Sequence, residues 1–283
     1  MPGKLIICPT PIGNLDDMPP RALEALRSAD AVCAEDTRVT GKLLSAFGIH
    51  TRLERLDENL MAERAAGIIE RVNAGERIAY CSDAGMPGVS DPGQRLVDAA
   101  LDAGVPVEVL PGPTAVATAY VASGFTCPRF YFGGFFPRKA GERAAALEVV
   151  RALDAVCLFY ESPHRIAQAL AVVGEVLPGR RVAVCRELTK LHEETVRGPV
   201  EEVAAEFARR EAEGGVKGEI VLVINAPGAE ERERAQQSAA LSAAERAAQL
   251  VTDGALSRKD IVRALRDEFG ISRNEAYELV HAL

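Results

Sequence analysis

Residues 77–93, RIAYCSDAGMPGVSDPG, contain the clearest indication of the fold. The first five form a mostly apolar run that is typical of a buried strand. The twelve residues that follow are rich in Gly and Pro, which favour sharp turns over regular structure. A helical pattern begins at about residue 92. A strand, a turn poor in large side chains and a helix in this order indicate a parallel α/β sheet.

The same alternation extends along the chain in both directions. In the first half, strands are predicted at 4–8, 31–34, 77–81 and 106–110, and helices at 19–28, 37–47, 59–73, 92–103 and 114–123. After a Gly- and Pro-rich break, strands are predicted at 130–132, 155–160, 181–185 and 219–225, and helices at 142–153, 166–176 and 200–213. We therefore predict an α/β fold with mostly parallel or mixed sheets in two domains, residues 1–120 and 121–228.

The last part of the chain has a different composition. Residues 229–240 are polar, charged and rich in Ala, which predicts a linker, and residues 241–283 predict a small helical domain. Its helices are expected at 243–251, 258–269 and 273–283, with N-caps at Ser257 and Ser272 and a C-terminal stop at Gly270. Lys259, Arg263 and Arg266 share one helical face, which is consistent with RNA binding or with a dimerisation or packing role.

Composition limits the classes of function. The formal net charge is −8, aromatic residues make up 5% of the 283 residues and Trp is absent. A protein that only holds nucleic acid is usually basic, so any RNA-binding surface must be local. The six cysteines occur singly, which disfavours zinc ribbons and thioredoxin-like sites. No apolar stretch approaches the roughly 20 residues of a membrane span and the N-terminus lacks a signal-peptide layout, so a cytoplasmic protein is expected.

Three loops follow predicted strands of the first half and are rich in Gly and Pro. They are residues 10–17, 82–93 and 111–115. Ligands of parallel sheets bind where such loops leave the carboxyl ends of strands, and glycine lets backbone approach a ligand closely. The chain has neither a P-loop motif nor a G-x-G-x-x-G after its first strand. The residues alone therefore predict a small-molecule site in a two-lobed α/β protein.

The loops together resemble a known superfamily. The matching segments are TPIGNLDD (10–17), AEDTR (34–38), SDAGMPGVSDPG (82–93), LPGPTA (110–115), SGF (123–125), GFFPRK (134–139), FYESPHR (159–165), CREL (185–188) and KGE (217–219). In this order they are similar to the tetrapyrrole-methylase-like superfamily of S-adenosylmethionine-dependent methyltransferases, in its branch that methylates small-subunit ribosomal RNA. Met86 and Thr114 depart from the residues typical of bacterial members.

The resemblance implies a homodimer with the S-adenosylmethionine cleft between the two α/β domains. It implies methylation of a cytidine ribose 2′-hydroxyl in 16S ribosomal RNA of the 30S subunit, without a metal. The cofactor residues that it implies are Asp83, Ala84, Gly85, Val89, Ser90, Thr114, Ala115, Tyr160, Glu161, Gly218 and Glu219.

The loop at residues 10–17 is expected to face the acceptor. The expected substrate contacts are Gly13, Asn14, Asp17, Arg38, Arg138, Lys139, Arg165 and Arg186, whose basic members would supply local positive charge.

A weakly acidic hydroxyl benefits from a proton acceptor within hydrogen-bond reach. Asp36, Glu187 and His164 are the candidate catalytic residues, and Asp17 is a weaker candidate base. Each has a structural alternative: Asp36 could cap a helix or pair with Arg38, Glu187 could form a salt bridge, and His164 could cap a helix or lie in solvent.

Two other functions are compatible with the sequence. One is methylation of a small molecule such as a tetrapyrrole-like ring, since the superfamily contains such members. The other is a non-catalytic RNA-binding module that keeps the fold. The AEDTR and FYESPHR segments favour the RNA branch, and the intact small-residue loops favour an enzyme.

Overall fold

A computed structural model of the chain describes residues 3–253 and 256–282, with side chains given for all of them except residues 234–236 and 238–241. The chain divides after Ala226 into two compact units. The first has the predicted α/β fold, and its strands form two five-stranded sheets within the described residues. Across those residues, no helix combines the length and apolar character that crossing a membrane requires.

The first sheet is parallel throughout. Its strands are β1 (Lys4–Ile7), β2 (Ala31–Ala34), β3 (Leu53–Arg55), β4 (Arg77–Cys81) and β5 (Val107–Val109). They lie in the order β3-β2-β4-β1-β5. Strand β3 escaped the sequence prediction because it is a short edge strand with one apolar residue, Leu53, and no buried run.

Helices cover both faces of this sheet. They are α1 (Pro20–Ser28), α2 (Thr37–Ala46), α3 (Glu58–Asn73) and α4 (Gly93–Asp102). Ile6 points to the face where Leu26 of α1 packs, and its neighbour Ile7 points to the face where Leu96 of α4 packs. Burial on both faces explains why the strands are continuous apolar runs and do not alternate with polar residues.

A crevice opens at the carboxyl ends of β1 and β4. The two strands are neighbours, but α1 follows β1 onto one face of the sheet and α4 follows β4 onto the other. Because the two chains leave the sheet in opposite directions, space remains between their first loops. This is the place where doubly wound sheets bind ligands.

The second sheet is mixed. Its strands are β6 (Phe130–Phe135), β7 (Val156–Glu161), β8 (Arg181–Arg186), β9 (Glu194–Pro199) and β10 (Ile220–Ile224), in the order β6-β7-β10-β8-β9. β6 and β7 are parallel and the other pairs are antiparallel. Strand β9 was not predicted, because at the sheet edge its residues are mostly half-buried and include Gly198 and Pro199.

Three helices cover one face of the second sheet and a fourth covers the other. Helices α6 (Ala140–Ala152), α7 (Ile166–Val176) and α8 (Val200–Ala212) form the first layer. Helix α5 (Ala115–Ser123) packs Val116 and Ala119 against Leu158 and Val221 on the opposite face. The predicted boundary at residue 120 therefore falls inside a helix, and the chain changes from one sheet to the other before α5.

The second unit is a group of helices, α9 (Ala229–Asp253), α10 (Arg258–Phe269) and α11 (Arg273–His281). The segment 229–240, which was predicted to be a linker, has helical backbone and forms the first half of α9. Ala, Glu, Arg and Gln dominate that segment and favour helix, with acidic residues in the first turn. Ser257 and Ser272 cap α10 and α11 as predicted, and Gly270 ends α10 at φ 65°. The predicted end of α11 at residue 283 lies outside the described residues.

Gly133 allows a close approach between β6 and the core. The register of β6 against β7 shifts between Phe132 and Phe135, and a Cβ on Gly133 would lie 2.2 Å from the ring of the buried Phe159. We predict that Gly133→Ala lowers the free energy of unfolding by about 1–3 kcal/mol, because the packed ring cannot move away.

Urea unfolding measures this change, with Gly67→Ala as control. Gly67 lies inside α3, and a Cβ on it would have no atom within 4 Å, so alanine there should raise stability by about 0.5–1 kcal/mol. Equal stability of the wild-type and Gly133→Ala proteins would contradict the packing argument.

Candidate active site

The three predicted loops meet at the carboxyl edge of the first sheet. The N–H of Thr10 donates to the carbonyl of Gly85 at 2.9 Å, and the N–H of Gly85 donates back to Thr10 at 3.1 Å. Gly112 of the third loop lies so close to Pro9 that a Cβ would stand 2.3 Å from the proline ring. Gly85 has φ +78°, a conformation that favours glycine. The small residues therefore allow main chain to pack on main chain.

Asp91 fixes the shape of the second loop. Both of its carboxylate oxygens lie 2.9 Å from the N–H of Gly88, and Oδ1 also accepts from the N–H of Gly93 at 2.9 Å. Gly88 has φ +90°, so the loop turns back on itself around this carboxylate. Asp91 thus organises the loop from inside.

A cavity of about 490 Å³ lies at these loops, between the two sheets. Its volume is typical of small-molecule sites. Every predicted cofactor residue lines it: Asp83, Ala84, Gly85, Val89, Ser90, Thr114, Ala115, Tyr160, Glu161, Gly218 and Glu219. The lining also contains residues that were not predicted as site residues, among them Ile12, Glu35, Phe135 and Leu188.

Aromatic side chains form the apolar part of the second wall. The Tyr160 ring meets those of Phe132 and Phe135 edge-on, at centroid distances of 4.9 and 5.5 Å. Burial raises the pKa of Tyr160 to about 12, so its hydroxyl keeps its proton at neutral pH. This part of the wall can hold a flat, weakly polar group.

Glu161 and Arg165 form a buried ion pair on the same wall. The Glu161 side chain is fully buried, and it also accepts from the N–H of Ser162 at 2.6 Å. Burial raises the pKa of Glu161, although Arg165 opposes this shift. Oε2 of Glu161 and Nη1 of Arg165 are buried without hydrogen-bond partners. The pair therefore retains unused hydrogen-bonding capacity beside the cavity.

Glu187 lies behind the cavity wall and does not line it. It accepts from Nζ of Lys190 at 2.8 Å and from the N–H of Glu219 at 2.9 Å, and these contacts lower its pKa. A Cβ on Gly218 would lie 2.5 Å from Glu187, so glycine is needed where the two meet. The geometry gives Glu187 a supporting position behind Gly218 and Glu219.

Asp36 has its carboxylate engaged outside the cavity. It caps α2 by accepting from the N–H of Arg38 at 2.8 Å and pairs with the Arg38 guanidinium at 2.5 Å. The hydrogen bonds from Arg38 hold the pKa of Asp36 well below its usual range. The N–H of Asp36, in turn, donates to the Asp83 carboxylate at 3.0 Å. Both structural alternatives for its carboxylate, the cap and the ion pair, are therefore realised.

His164 is exposed and does not line the cavity, although its neighbours Pro163 and Arg165 do. Its N–H donates to Oγ of Ser162 at 3.3 Å.

Within the described residues, His, Cys, Asp and Glu side chains form no group of three that could hold a metal ion.

The predicted substrate contacts fall into two sets. Arg138 and Arg165 line the cavity, whereas the remaining six lie outside its lining: Gly13, Asn14, Asp17, Arg38, Lys139 and Arg186. The positions of Gly13 and Asn14 have structural explanations. A Cβ on Gly13 would lie 2.5 Å from the Lys190 side chain, and Asn14 caps a 3₁₀ turn that contains Asp17.

The other basic residues outside the lining have acidic partners. Lys139 pairs with Glu142 at 2.9 Å, and Arg186 pairs with Glu194 at 2.5 Å. Arg138 and Arg165 are the basic residues that line the cavity, and Arg165 is already paired with Glu161.

Glu35 is the functional candidate that the sequence reasoning missed. It follows the last residue of β2 and lines the cavity, whereas the chosen Asp36 turns away. Burial, followed by repulsion from Asp83 and Asp91, raises the pKa of Glu35. The alternation of side chains along β2 was the available signal, since successive residues of a strand point to opposite sides.

Comparisons with known proteins identify the class. Residues 4–204 match the family model described as Tetrapyrrole (Corrin/Porphyrin) Methylases. The crystal structure of the methyltransferase CobJ superimposes with a TM-score of 0.59, covering 79% of this chain and 94% of that chain. At 21% identity this likeness concerns the fold alone.

Two relatives narrow the assignment. The chain is 39% identical over 280 residues to Ribosomal RNA small subunit methyltransferase I of Bacillus subtilis (strain 168), covering 99% of this chain and 94% of the relative. It is 45% identical over 225 residues to the protein of the same name from Mycobacterium tuberculosis (strain ATCC 25618 / H37Rv), covering 78% and 77%. The chain belongs to the tetrapyrrole methylase family and, within it, to the ribosomal RNA small subunit methyltransferase I group.

Family membership confirms the predicted cofactor, S-adenosylmethionine, and makes the chain a methyltransferase. The cavity fits such a donor. Gly85 presents only main chain to the cavity, whereas a side chain at this position would extend towards Ile12. Tyr160 and Phe135 offer an apolar surface for an adenine. Even without Glu35, acidic side chains outnumber basic ones in the lining, with Asp83, Asp91, Glu161 and Glu219 against Arg138 and Arg165. An excess of negative charge suits a ligand that carries a sulfonium and an ammonium group.

We predict that Gly85→Ala weakens donor binding about tenfold. The left-handed conformation costs alanine about 1 kcal/mol, and the added Cβ would lie 3.1 Å from Ile12, so the loop must move. Titration calorimetry with S-adenosylmethionine measures the effect.

Gly75→Ala is the matched control. Gly75 has φ +106° with no neighbouring atom within 4 Å, so alanine carries comparable backbone strain far from the loops. It should lower stability by about 1 kcal/mol and leave donor affinity unchanged. Equal donor affinities of the two variants would show that the second loop is not a cofactor loop.

Proposed function

We propose that this chain transfers a methyl group from S-adenosylmethionine to the ribose 2′-hydroxyl of a cytidine in 16S ribosomal RNA of the 30S subunit. The observation that carries the proposal is the cavity, where all eleven residues expected for the cofactor meet between the two sheets. The names of the relatives support ribosomal RNA of the small subunit as the acceptor. The choice of cytidine as the nucleotide and of the 2′-oxygen as the acceptor atom is what the resemblance of the loops implies.

The protein has to align three atoms rather than form a covalent intermediate. S-adenosylmethionine supplies a methyl group that its sulfonium makes electrophilic. The second and third loops would hold the methionine and ribose portions through main-chain groups at Gly85 and Ala115. Tyr160 and Gly218 would enclose the adenine. Such positioning can account for a large part of the lowering of the barrier.

Arg138 and Arg165 would receive the acceptor strand. They are the basic residues of the cavity lining, and Glu161 fixes the orientation of Arg165. Phosphate contacts of this kind set the register of a nucleic acid without reading its sequence. The overall charge of −8 confines favourable RNA contact to such local groups.

The three predicted catalytic residues keep different roles in this proposal. Asp36 would position Asp83 through its N–H, and Glu187 would support Gly218 and Glu219. His164, exposed beside the cavity, would contact the RNA. Two substitutions test these roles separately. Asp36→Asn keeps the main-chain hydrogen bond to Asp83, whereas Glu187→Gln weakens the ion pair with Lys190.

A labelling experiment tests the function. Small subunits that lack the modification are incubated with the protein and methyl-labelled donor, and the RNA is then cleaved with alkali. A 2′-O-methyl group blocks alkaline cleavage at its nucleotide, so we expect the label in an alkali-resistant dinucleotide that begins with cytidine. Gly85→Arg, which fills the cofactor loop, serves as the inactive control. Label on a base, or transfer to a tetrapyrrole but not to RNA, would overturn the proposal.

We propose further that the chain acts as a homodimer and that the helical unit contributes to RNA binding. Lys259, Arg263 and Arg266 are exposed on α10, opposite the buried Ile261 and Leu265. Replacing all three by alanine should weaken binding to small subunits and reduce its salt dependence, since fewer phosphates are neutralised.

The same triple variant separates the two roles left open for this unit. Light scattering should give the mass of a dimer for the wild-type protein and for the triple variant. The donor affinity of the two proteins should be the same. Unaltered RNA binding together with a monomer mass would assign the helical unit to dimerisation instead.

A further inference from the structure

Glu35 lines the cavity from the end of β2, a strand whose following loop carries none of the expected cofactor residues. The carboxyl ends of the first sheet follow the strand order, so the loops after β4, β1 and β5 are consecutive and the end of β2 lies beyond β4. The expected cofactor contacts of this sheet come from the loops after β4 and β5. Glu35, at the end of β2, lines the same cavity beside the loop after β4.

Neither Glu35 nor Asp83 forms an ion pair within the described residues, and Asp83 accepts from the N–H of Asp36. The other three acids of the lining are each held by two main-chain N–H groups or by a cation. Asp91 is bound by the N–H groups of Gly88 and Gly93, Glu161 by Arg165, and Glu219 by Lys190. No Lys, Arg or His of the described residues lies within ion-pair distance of Glu35. The N–H of Asp83 is the main group that stabilises its charge.

Ser82, the neighbour of Glu35, has a side-chain hydroxyl without a hydrogen-bond partner among the described residues. Ala34 is opposite Cys81 in the register of β2 and β4, so the next residues, Glu35 and Ser82, leave the sheet side by side. Ser82 is 2% exposed and lines the cavity, and its Oγ has no hydrogen-bond partner. The described neighbourhood of Glu35 therefore supplies no side-chain donor that would hold its carboxylate.

We propose that Glu35 is the general base of the methyl transfer. This inference rests on the proposed function, since it takes a hydroxyl as the acceptor. The acceptor oxygen forms a bond to the methyl carbon while the carbon–sulfur bond breaks. The electron pair of that bond stays on sulfur, which becomes a neutral thioether. The hydroxyl proton passes to the Glu35 carboxylate and then to water.

The environment of Glu35 suits this role better than that of Asp36. A base is most effective when its pKa approaches the working pH. Burial and the nearby carboxylates raise the pKa of Glu35, whereas Arg38 lowers that of Asp36. Asp36 is therefore the weaker proton acceptor of the two, and its carboxylate is already bound.

Single-turnover rates with small subunits, measured as a function of pH, test the proposal. The base must be ionised, so the wild-type rate should rise as pH increases through the raised pKa of Glu35. Glu35→Gln should lower the rate about 100-fold or more and remove this acid limb. Glu35→Asp, which keeps a carboxylate, should recover part of the rate.

Two measurements that need no acceptor accompany the rates. Titration calorimetry should give Glu35→Gln a donor affinity within about twofold of wild type, whereas Asp83→Asn should bind the donor more weakly. Because the folded protein disfavours the Glu35 anion, its ionisation costs stability above the raised pKa. At neutral pH, Glu35→Gln should therefore unfold at the same or a higher temperature than wild type.

Each contrary result has a distinct meaning. Loss of donor affinity in Glu35→Gln would make Glu35 a cofactor ligand and overturn the proposal, whatever the acceptor is. An unchanged rate in Glu35→Gln would overturn the proposal as well. So would loss of the acid limb in Asp36→Asn if Glu35→Gln keeps that limb. If the wild-type protein transfers no methyl group to small subunits, the proposed function fails. Independently of that result, a lower unfolding temperature of Glu35→Gln than of wild type would contradict the role of Glu35 as the base.

Discussion

The reciprocal main-chain hydrogen bonds between Thr10 and Gly85 are the constraint on which the site depends. They join the loops that leave the neighbouring strands β1 and β4 towards opposite faces of the first sheet. Each loop satisfies the other's polar groups, so neither needs a side chain for that purpose. This explains why the cavity can be lined by backbone and why glycine stands at Gly85, where any Cβ would enter towards Ile12.

The two sheets contribute different chemistry to the cavity. The first supplies short loops and the carboxylates of Glu35, Asp83 and Asp91, whereas the second supplies Tyr160 and the paired Arg165. A methyl donor loses its sulfonium charge on reaction, so an acid-rich lining favours the donor over the product that must leave. The same lining would repel an RNA backbone, and the arginines of the second sheet offset this locally.

Sequence reasoning located most of this architecture because parallel strands buried on both faces give continuous apolar runs. It missed β3 and β9, which lie at sheet edges and lack such runs, and it took the first half of α9 for a linker because a polar, Ala-rich stretch has no apolar periodicity. All eleven expected cofactor residues line the cavity, since the loops that carry them are defined by Gly and Pro. The alternation of side chains along β2 indicates that Glu35 and Asp36 point to opposite sides, but it does not indicate which of them faces the cavity. The structure decides this, because Arg38 binds the Asp36 carboxylate outside the cavity.

The position of β10 has a consequence for how the protein is made. This strand is the last of its sheet to be synthesised, yet it lies between β7 and β8 at the centre. Until residue 224 has left the ribosome, those two strands lack the partner that joins them, whereas every strand of the first sheet is already present. The amino-terminal sheet can therefore assemble during translation, and the donor cleft is completed only after β10 has emerged. A chain truncated before β10 would expose two apolar strand edges, which makes it a target for aggregation or degradation rather than a partly active enzyme.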